Sequence, residues 1–361
     1  MLTTAAGLAM AATVQRAGDP VLIDQAGIYI RASPLSNYSA NDIIAGYAAQ
    51  DGRDHVLRVA RSTDGAKSWQ PLGEVWRADS AARDIDNAMP LKLPNSPRIL
   101  YAFRNHDRIP STGEYTHYRI TVCYSEDGGR TWQFLSQVAD RDANRNPGAN
   151  NGLWEPFLRM AKDRSTVQVF YSSENNAHDQ DNLMKYSRDG GKTWHGPIMV
   201  SGGDKSSARD GMTGVAEIDA QGNLICVFET TESGHFSINS VISHDDGYSW
   251  GSRARVYTAA DNKNAGAPQV INVSGGLVAS FMTNEAAPSL PEVDGGQMKV
   301  VTSIDGGRNW SSFGAGCSVA AMVTADTGAH WPGLYALDGN RFLALYSRDG
   351  LGAVSQLYRL S

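Results

Sequence analysis

Five copies of one eight-residue pattern constrain this chain more than any other feature. They run from Ser62 to Trp69, Ser125 to Trp132, Ser187 to Trp194, Ser243 to Trp250 and Ser303 to Trp310. Each has a Ser, an Asp two residues on, a glycine in the turn, a Ser, Thr or Asn, and then a Trp. The Asp residues, Asp64, Asp127, Asp189, Asp245 and Asp305, follow one another at 63, 62, 56 and 60 residues. A repeat of this length marks an array of identical supersecondary units. The chemistry is that of a hairpin turn: the Asp carboxylate accepts turn N–H groups, Gly supplies positive φ, and Trp closes the turn onto its neighbour. These aspartates are therefore structural.

Period-2 segments precede the copies, such as Tyr118 to Tyr124 and Met298 to Thr302. Further strands stand before those, at 98–103, 166–170 and 223–228. Four strands in ~60 residues make one propeller blade. The 361 residues then give an all-β, six-bladed propeller of four-stranded antiparallel blades. Ser347-Arg-Asp349-Gly350 lacks the Trp and comes only 44 residues after the fifth Asp, so it reads as a turn between second and third strands. The chain ends on a third strand, Ala353 to Tyr358, and Pro20 to Asp24 is expected to supply the missing outer strand and close the ring. Residues 1–17 read as a leader with an Ala9-Met10-Ala11 cleavage-like triplet, which implies secretion, and 18–361 as one catalytic propeller.

Composition removes several function classes. A net charge of -6 without Lys/Arg clusters argues against nucleic acid. No apolar run reaches the ~18 residues that a spanning helix needs, so no membrane partner is expected. Cys123, Cys226 and Cys317 are too few and too scattered for a disulfide framework or a zinc site, and His178-Asp-Gln-Asp181 fits no familiar ligand spacing. No metal or cofactor is expected, and the chain is taken as a monomer. Asn37, Asn272 and Asn309 head N-x-S sequons.

The repeated turn is similar to that of Asp-box proteins, which include sialidases, other glycosidases, lectin-like propellers and receptor propellers. That likeness implies the fold and leaves activity open. Function must be sought where the repeats disagree. Aligned on a shared Pro, the innermost strands read Asn87-Ala-Met89-Pro90, Leu153-Trp154-Glu155-Pro156, Gly266-Ala267-Pro268 and His330-Trp331-Pro332, with Asp210-Gly-Met212-Thr213-Gly214 in the fourth blade. Before the Pro stand Met89, Glu155, Thr213, Ala267 and Trp331. Only Glu155 is a carboxylate, and in an apolar strand lining the channel it must be paired or functional.

Second strands align on an aromatic pair position: Tyr47-Ala48, Phe103-Arg104, Phe170-Tyr171, Phe228-Glu229, Phe281-Met282 and Leu345-Tyr346. Again one blade carries a carboxylate, Glu229. Two lone glutamates on adjacent blades can divide into a raised-pKa acid and an ionised nucleophile, which glycoside hydrolysis requires. Trp154, Trp331, Tyr171 and Tyr346 would offer stacking faces to sugar rings.

Asn150-Asn-Gly-Leu-Trp-Glu155-Pro-Phe-Leu158, Ala208-Arg-Asp-Gly-Met212 and Val227-Phe-Glu229 resemble the motifs of family 93 glycoside hydrolases, the fungal exo-1,5-α-L-arabinanases. The resemblance implies release of arabinobiose, with retention, from the non-reducing end of linear α-1,5-arabinan. Its substrate would be plant cell-wall arabinan or arabino-oligosaccharide. It implies Glu155 as acid/base and Glu229 as nucleophile, roles that the sequence alone allows to be exchanged. A family tyrosine beside the nucleophile maps onto Tyr346, with Tyr335 as its competitor.

Around this pair, Arg31, Arg104, Asp210 and His330 are candidate substrate contacts, each with a plain structural alternative such as a salt bridge. Arg31 echoes the first arginine of the sialidase trio. Glu174 and Glu232 read as solvated loop residues. A sialidase would need three arginines to clamp a carboxylate, and the aligned positions Glu229, Met282, Thr213 and Ala267 fit a neutral substrate better. A non-catalytic sugar-binding propeller and a receptor-type propeller are the other readings. The segments at 105–114, 140–151 and 284–296 are the insertions able to wall off one end of a cleft.

Overall fold

The computed structural model describes residues 12–36, 39–146, 149–286, 293–311, 320–321 and 328–361. Six antiparallel sheets follow one another around a channel. The first holds Gly27–Pro34, Ile43–Asp51, Asp54–Ser62 and Gln70–Asp79; the second Arg83–Lys92, Ile99–Arg108, Tyr115–Ser125 and Gln133–Asp142. The third runs through Leu153–Met160, Val167–Asn176, Asp179–Ser187 and His195–Ser201, and the fourth through Asp210–Glu217, Leu224–Thr230, Ser237–Ser243 and Gly251–Tyr257. The fifth has Ala265–Val273, Gly276–Thr283, Gln297–Ser303 and Ala320–Ala321, and the sixth Ala329–Asp338, Arg341–Arg348 and Gly352–Leu360. Cys317 and the sequon at Asn37 lie outside the described residues.

Two N-terminal strands complete the sixth sheet. Val21–Asp24 pairs with Gly352–Leu360 as expected, and Val14–Arg16 pairs farther along the same strand, Val14 opposite Leu360. The segment read as a leader thus overlaps the sheet: Val14–Arg16 is ring structure, and residues 1–11 lie outside the described residues.

The repeated turns form as their chemistry dictates. In the second, Ser125 Oγ donates to Asp127 Oδ1 at 2.8 Å, which in turn accepts the Thr131 N–H at 3.0 Å. The Thr131 hydroxyl and the other donors hold the Asp127 carboxyl well below its usual range. Trp69 and Trp194 reach across to Ser355 Oγ and Ser136 Oγ, both at 2.9 Å, while Trp132 and Trp250 close onto their own turns at Gly129 O and Gly247 O.

The core is divided among the blade interfaces. One aromatic from each second strand fills each interface: Tyr47, Phe103, Tyr171, Phe228, Phe281 and Tyr346 fall in six different apolar clusters. Each is nearly inaccessible, and burying such a side chain contributes roughly 1.5–3 kcal/mol. This row corrects the sequence alignment. Phe170 and Leu345 stand one residue too early, so Tyr171 and Tyr346 belong to the packing row. The next position, facing the following blade, reads Ala48, Arg104, Ser172, Glu229, Met282 and Ser347.

Candidate active site

Every innermost strand breaks its register at the same level, between Ile28 and Arg31, Asp86 and Met89, Trp154 and Phe157, Gly211 and Gly214, Gly266 and Gln269, and His330 and Gly333. At each break one residue has left-handed φ: Tyr29 at 53°, Asn87 at 60°, Glu155 at 41°, Met212 at 51°, Ala267 at 53° and Trp331 at 53°. Such bulges re-aim a side chain, and non-glycine residues adopt this conformation at a cost of ~1 kcal/mol or more each. The shared-Pro alignment is thereby corrected in two blades: Asn87 and Met212, not Met89 and Thr213, are the counterparts of Glu155. The distinction it drew survives, since Glu155 is the one carboxylate among the six.

Tyr29, Met212 and Ala267 pack with Met282, Val293 and Trp331 into one cluster, so bulge residues of four blades meet across the channel. Beyond this ring a cavity of about 860 Å³ opens at the opposite end, lined by Arg31, Met89, Arg159, Glu217 and Tyr335 among others. It contains neither glutamate. Both glutamates lie at the other mouth, where inner strands begin and second strands end.

Glu229 reaches that mouth by strand alternation and by two glycines. A Cβ on Gly266 would lie 2.7 Å from Glu229 Oε2, and one on Gly211 3.5 Å from Oε1. Oε2 accepts the Ala267 N–H at 2.7 Å. Burial raises the Glu229 carboxyl, opposed by that N–H and by the Arg209 charge, both of which favour the anion.

Glu155, like Glu229, is half-buried. Burial first, then the negative charge of Glu229, push its carboxyl up to about 8, against the pull of Arg104 and a hydrogen bond with Ser172. The Cβ position on Gly211 that nearly touches Glu229 Oε1 is also 3.6 Å from Ser172 Oγ. Both carboxyls therefore lie around Gly211, close enough for their charges to act on each other. Two like charges there resist ionising together, so Glu229 ionises first and Glu155 keeps its proton.

Beside Glu155, Trp154 is half-buried against Tyr115, Tyr118 and His106. Gly152 is required beneath it, because a Cβ there would come within 2.4 Å of the indole. Arg104 lies over the indole, 5.5 Å from its centroid, and donates to Asp84 Oδ1 at 3.2 Å and Asp86 Oδ2 at 3.5 Å. His106 is fully buried, and burial followed by the Arg104 charge lowers its pKa to about 3, so it is a neutral wall of this box. Arg31 stacks on Tyr29, 4.1 Å from the ring centroid, and donates to the carbonyls of Ile30 and Trp331. Burial pushes the Tyr29 hydroxyl up to about 12 against the Arg31 charge, with Glu155 adding to the rise.

Other expected contacts stand elsewhere. Asp210 is fully buried and both of its oxygens are taken by Arg253, at 2.6 and 3.0 Å, so it is a structural ion pair. Tyr346 donates to Gln356 Oε1 at 2.9 Å within the interface of blades 5 and 6, and Tyr171 is buried between blades 2 and 3. Neither faces the glutamates. Tyr335 donates to the Ala40 carbonyl beside the opposite cavity. His330, in contrast, shares the mouth row of Trp154 and Asp86 and sits between Asp294, at 2.6 Å, and Asp349, at 3.0 Å. Glu174 is buried, not solvated: it accepts the Gly152 N–H at 2.8 Å and Arg209 at 2.7 Å. Glu232 is exposed, as expected, and pairs with Lys205 and Arg253.

Tyr29, Asp86 and Ser172 stand around Glu155 and are candidate site residues that the sequence reading missed. An alignment on the bulges, in place of Pro and aromatics, brings all three into view. Among the described residues no three His, Cys, Asp or Glu side chains gather as a metal site.

Residues 111–345 match the family described as BNR repeat-like domain. No curated protein matches. Among solved structures, the chain is similar to an α-L-arabinofuranosidase from Fusarium graminearum in complex with an iminosugar inhibitor (18% identity, 96% of this chain and 98% of that one, TM-score 0.70). It is also similar to an α-L-arabinanase from Penicillium chrysogenum complexed with arabinobiose (17%, 96% and 98%, 0.68) and to an intramolecular trans-sialidase from Ruminococcus gnavus (13%, 92% and 94%, 0.63). With the family model covering well over half of its length, this chain belongs to the BNR repeat-like domain family.

Proposed function

We propose that this protein is a retaining, exo-acting glycoside hydrolase of the family 93 type, releasing arabinobiose from the non-reducing end of linear α-1,5-L-arabinan. The observation that carries the reading is two neighbouring glutamates set apart by their surroundings: burial and the Glu229 charge push the Glu155 carboxyl up to about 8, while Glu229, also raised by burial, accepts the Ala267 N–H, which favours its anion. That division supplies an acid and a nucleophile at once.

Glu155 gives its proton to the glycosidic oxygen as Glu229 attacks the anomeric carbon, forming a glycosyl ester and freeing the shortened chain. Glu155, now ionised, takes a proton from water as that water attacks the same carbon, and Glu229 leaves as carboxylate. The alternative assignment, with the roles exchanged, would put the acid on the group whose anion is the better stabilised. Trp154 and Arg104 offer a flat face and hydrogen-bond donors beside Glu155. Arabinobiose in the Penicillium arabinanase supports an arabino-oligosaccharide ligand. A polymer of the plant cell wall fits action outside the cell, as a monomer.

Linear α-1,5-arabinan and, separately, a sialoside are incubated with the intact protein and with Glu155→Ala and Glu229→Ala variants. Arabinobiose as the sole early product, absent with both variants, supports the reading. Hydrolysis of the sialoside, or of neither substrate, overturns it.

A further inference from the structure

Among the described residues, blade 2 brings four charged groups together at the mouth. Asp84 is almost completely buried, with Oδ2 accepting Arg108 at 2.8 Å and the Tyr115 hydroxyl at 2.7 Å and Oδ1 facing Arg104 at 3.2 Å. Asp86 Oδ1 accepts its neighbour's Asn87 N–H at 2.6 Å, and Oδ2 lies 3.5 Å from the Arg104 guanidinium. Asp84, Asp86, Arg104 and Arg108 sum to zero formal charge. Within the set, Asp84 is sealed, whereas the side chains of Asp86 and Arg104 each keep 20% of their surface exposed.

The register gives these two residues their importance. Asp86 occupies the position held by Trp154 in blade 3 and by Gly211 and Gly266 around Glu229. Arg104 occupies the position held by Glu229 itself. Arg104 also acts on Glu155 and lies over the Trp154 ring. A sugar stacked in this mouth next to Glu155 therefore meets an arginine and an aspartate together. Arg31, which lines the opposite cavity, is stacked on Tyr29 and donates through one guanidinium nitrogen to two carbonyls.

Building on the arabinanase reading, we propose that Asp86 is a specificity-determining residue: it cancels the Arg104 charge and accepts a sugar hydroxyl, so that the mouth takes neutral sugars and rejects those carrying a carboxylate. Asp86 and the ionised Glu229 put two negative charges at the mouth, and Arg104 balances only one of them. A hydroxyl donates to Asp86 without penalty. A substrate carboxylate meets repulsion from Asp86 and finds Arg104 already occupied. Removing the negative charge of Asp86 leaves the cluster at +1 and Arg104 with Asp84 as its one carboxylate partner in the cluster, so that its exposed edge can take an anion.

The test is calorimetric and requires no turnover. Two ligands are titrated: arabinobiose, and its analogue with a terminal primary hydroxyl oxidised to a carboxylate. They are measured against the intact protein, Asp86→Asn, and Asp86→Asn combined with Arg104→Gln. Asn keeps the Asn87 N–H bond, so the fold is preserved. The intact protein is expected to favour the neutral ligand. Asp86→Asn is expected to shift the affinity ratio ~10-fold toward the acid, the size of one hydrogen bond to a charged group, and the double variant to reverse that shift. An unchanged ratio in Asp86→Asn, or a shift that survives loss of Arg104, overturns the proposal. Failure of the intact protein to bind either ligand overturns the arabinanase reading, and this proposal with it.

Discussion

Glu155→Gln should make the protein less active and more stable, and only in one pH range. The carboxyl stands at about 8 against an ordinary 4.5 because burial and Glu229 both oppose its ionisation. Between those values the folded state holds a proton that the unfolded state has released, so stability falls as pH rises from 4.5 to 8 and then levels off. The full rise corresponds to ~5 kcal/mol at ~1.36 kcal/mol per pKa unit. The side chain keeps some contact with solvent, which reduces the expected effect to ~2 kcal/mol. Gln carries no titrating proton, so the variant should match the parent at pH 4.5 and exceed it by about 2 kcal/mol at pH 8. Urea unfolding at pH 4.5, 6 and 8 measures the difference directly. Turnover should drop ~10²- to 10⁴-fold, as expected on loss of a general acid. A carboxylate serving only to hold the fold would behave the other way. A variant less stable than the parent at pH 8, or a difference independent of pH, refutes the reasoning.

The remaining expectations concern the same pair and its surroundings. Gly266→Ala puts a Cβ 2.7 Å from Glu229 Oε2 and displaces it from the Ala267 N–H; kcat should fall ~100-fold, with an unchanged circular dichroism spectrum. Tyr346→Phe removes a hydroxyl bonded to Gln356 in a blade interface, so kcat should hold while stability drops ~1 kcal/mol; loss of kcat would place Tyr346 back in the mechanism. The pH profile of kcat/KM should be a bell, with an acid limb above 4.5 set by Glu229 and an alkaline limb near 8 set by Glu155. Glu155→Gln should erase the alkaline limb, and a limb that persists in the variant would assign it elsewhere.

The repeated turn made the six blades and the position of Glu155 and Glu229 legible, because Asp, Gly and Trp at fixed spacing admit few local structures. The faces of individual residues were less legible. An inner-strand bulge shifts a chain by residues that no composition rule announces, so Pro90 and Pro156, alike in sequence, stand two positions apart in register. In the second strands, Phe170 precedes Tyr171 and Leu345 precedes Tyr346. Either residue of each pair suits an apolar strand, and a one-residue slip exchanges packing for mouth. Asp210 looked like a rim carboxylate because its partner, Arg253, comes from the outermost strand of the same blade, 43 residues away. Tyr29 and Asp86 acquire meaning only when six blades are superposed on their bulges.

The most direct test of the central claim, that Glu155 and Glu229 act as acid/base and nucleophile on α-1,5-arabinan, is the anomeric configuration of the first product, followed by proton NMR as the intact protein digests the polymer. The account predicts arabinobiose appearing as the α-anomer and only later equilibrating with the β-anomer. A β-anomer in the earliest spectra would mean that water attacks directly and that Glu229 forms no bond to the sugar, contradicting the account.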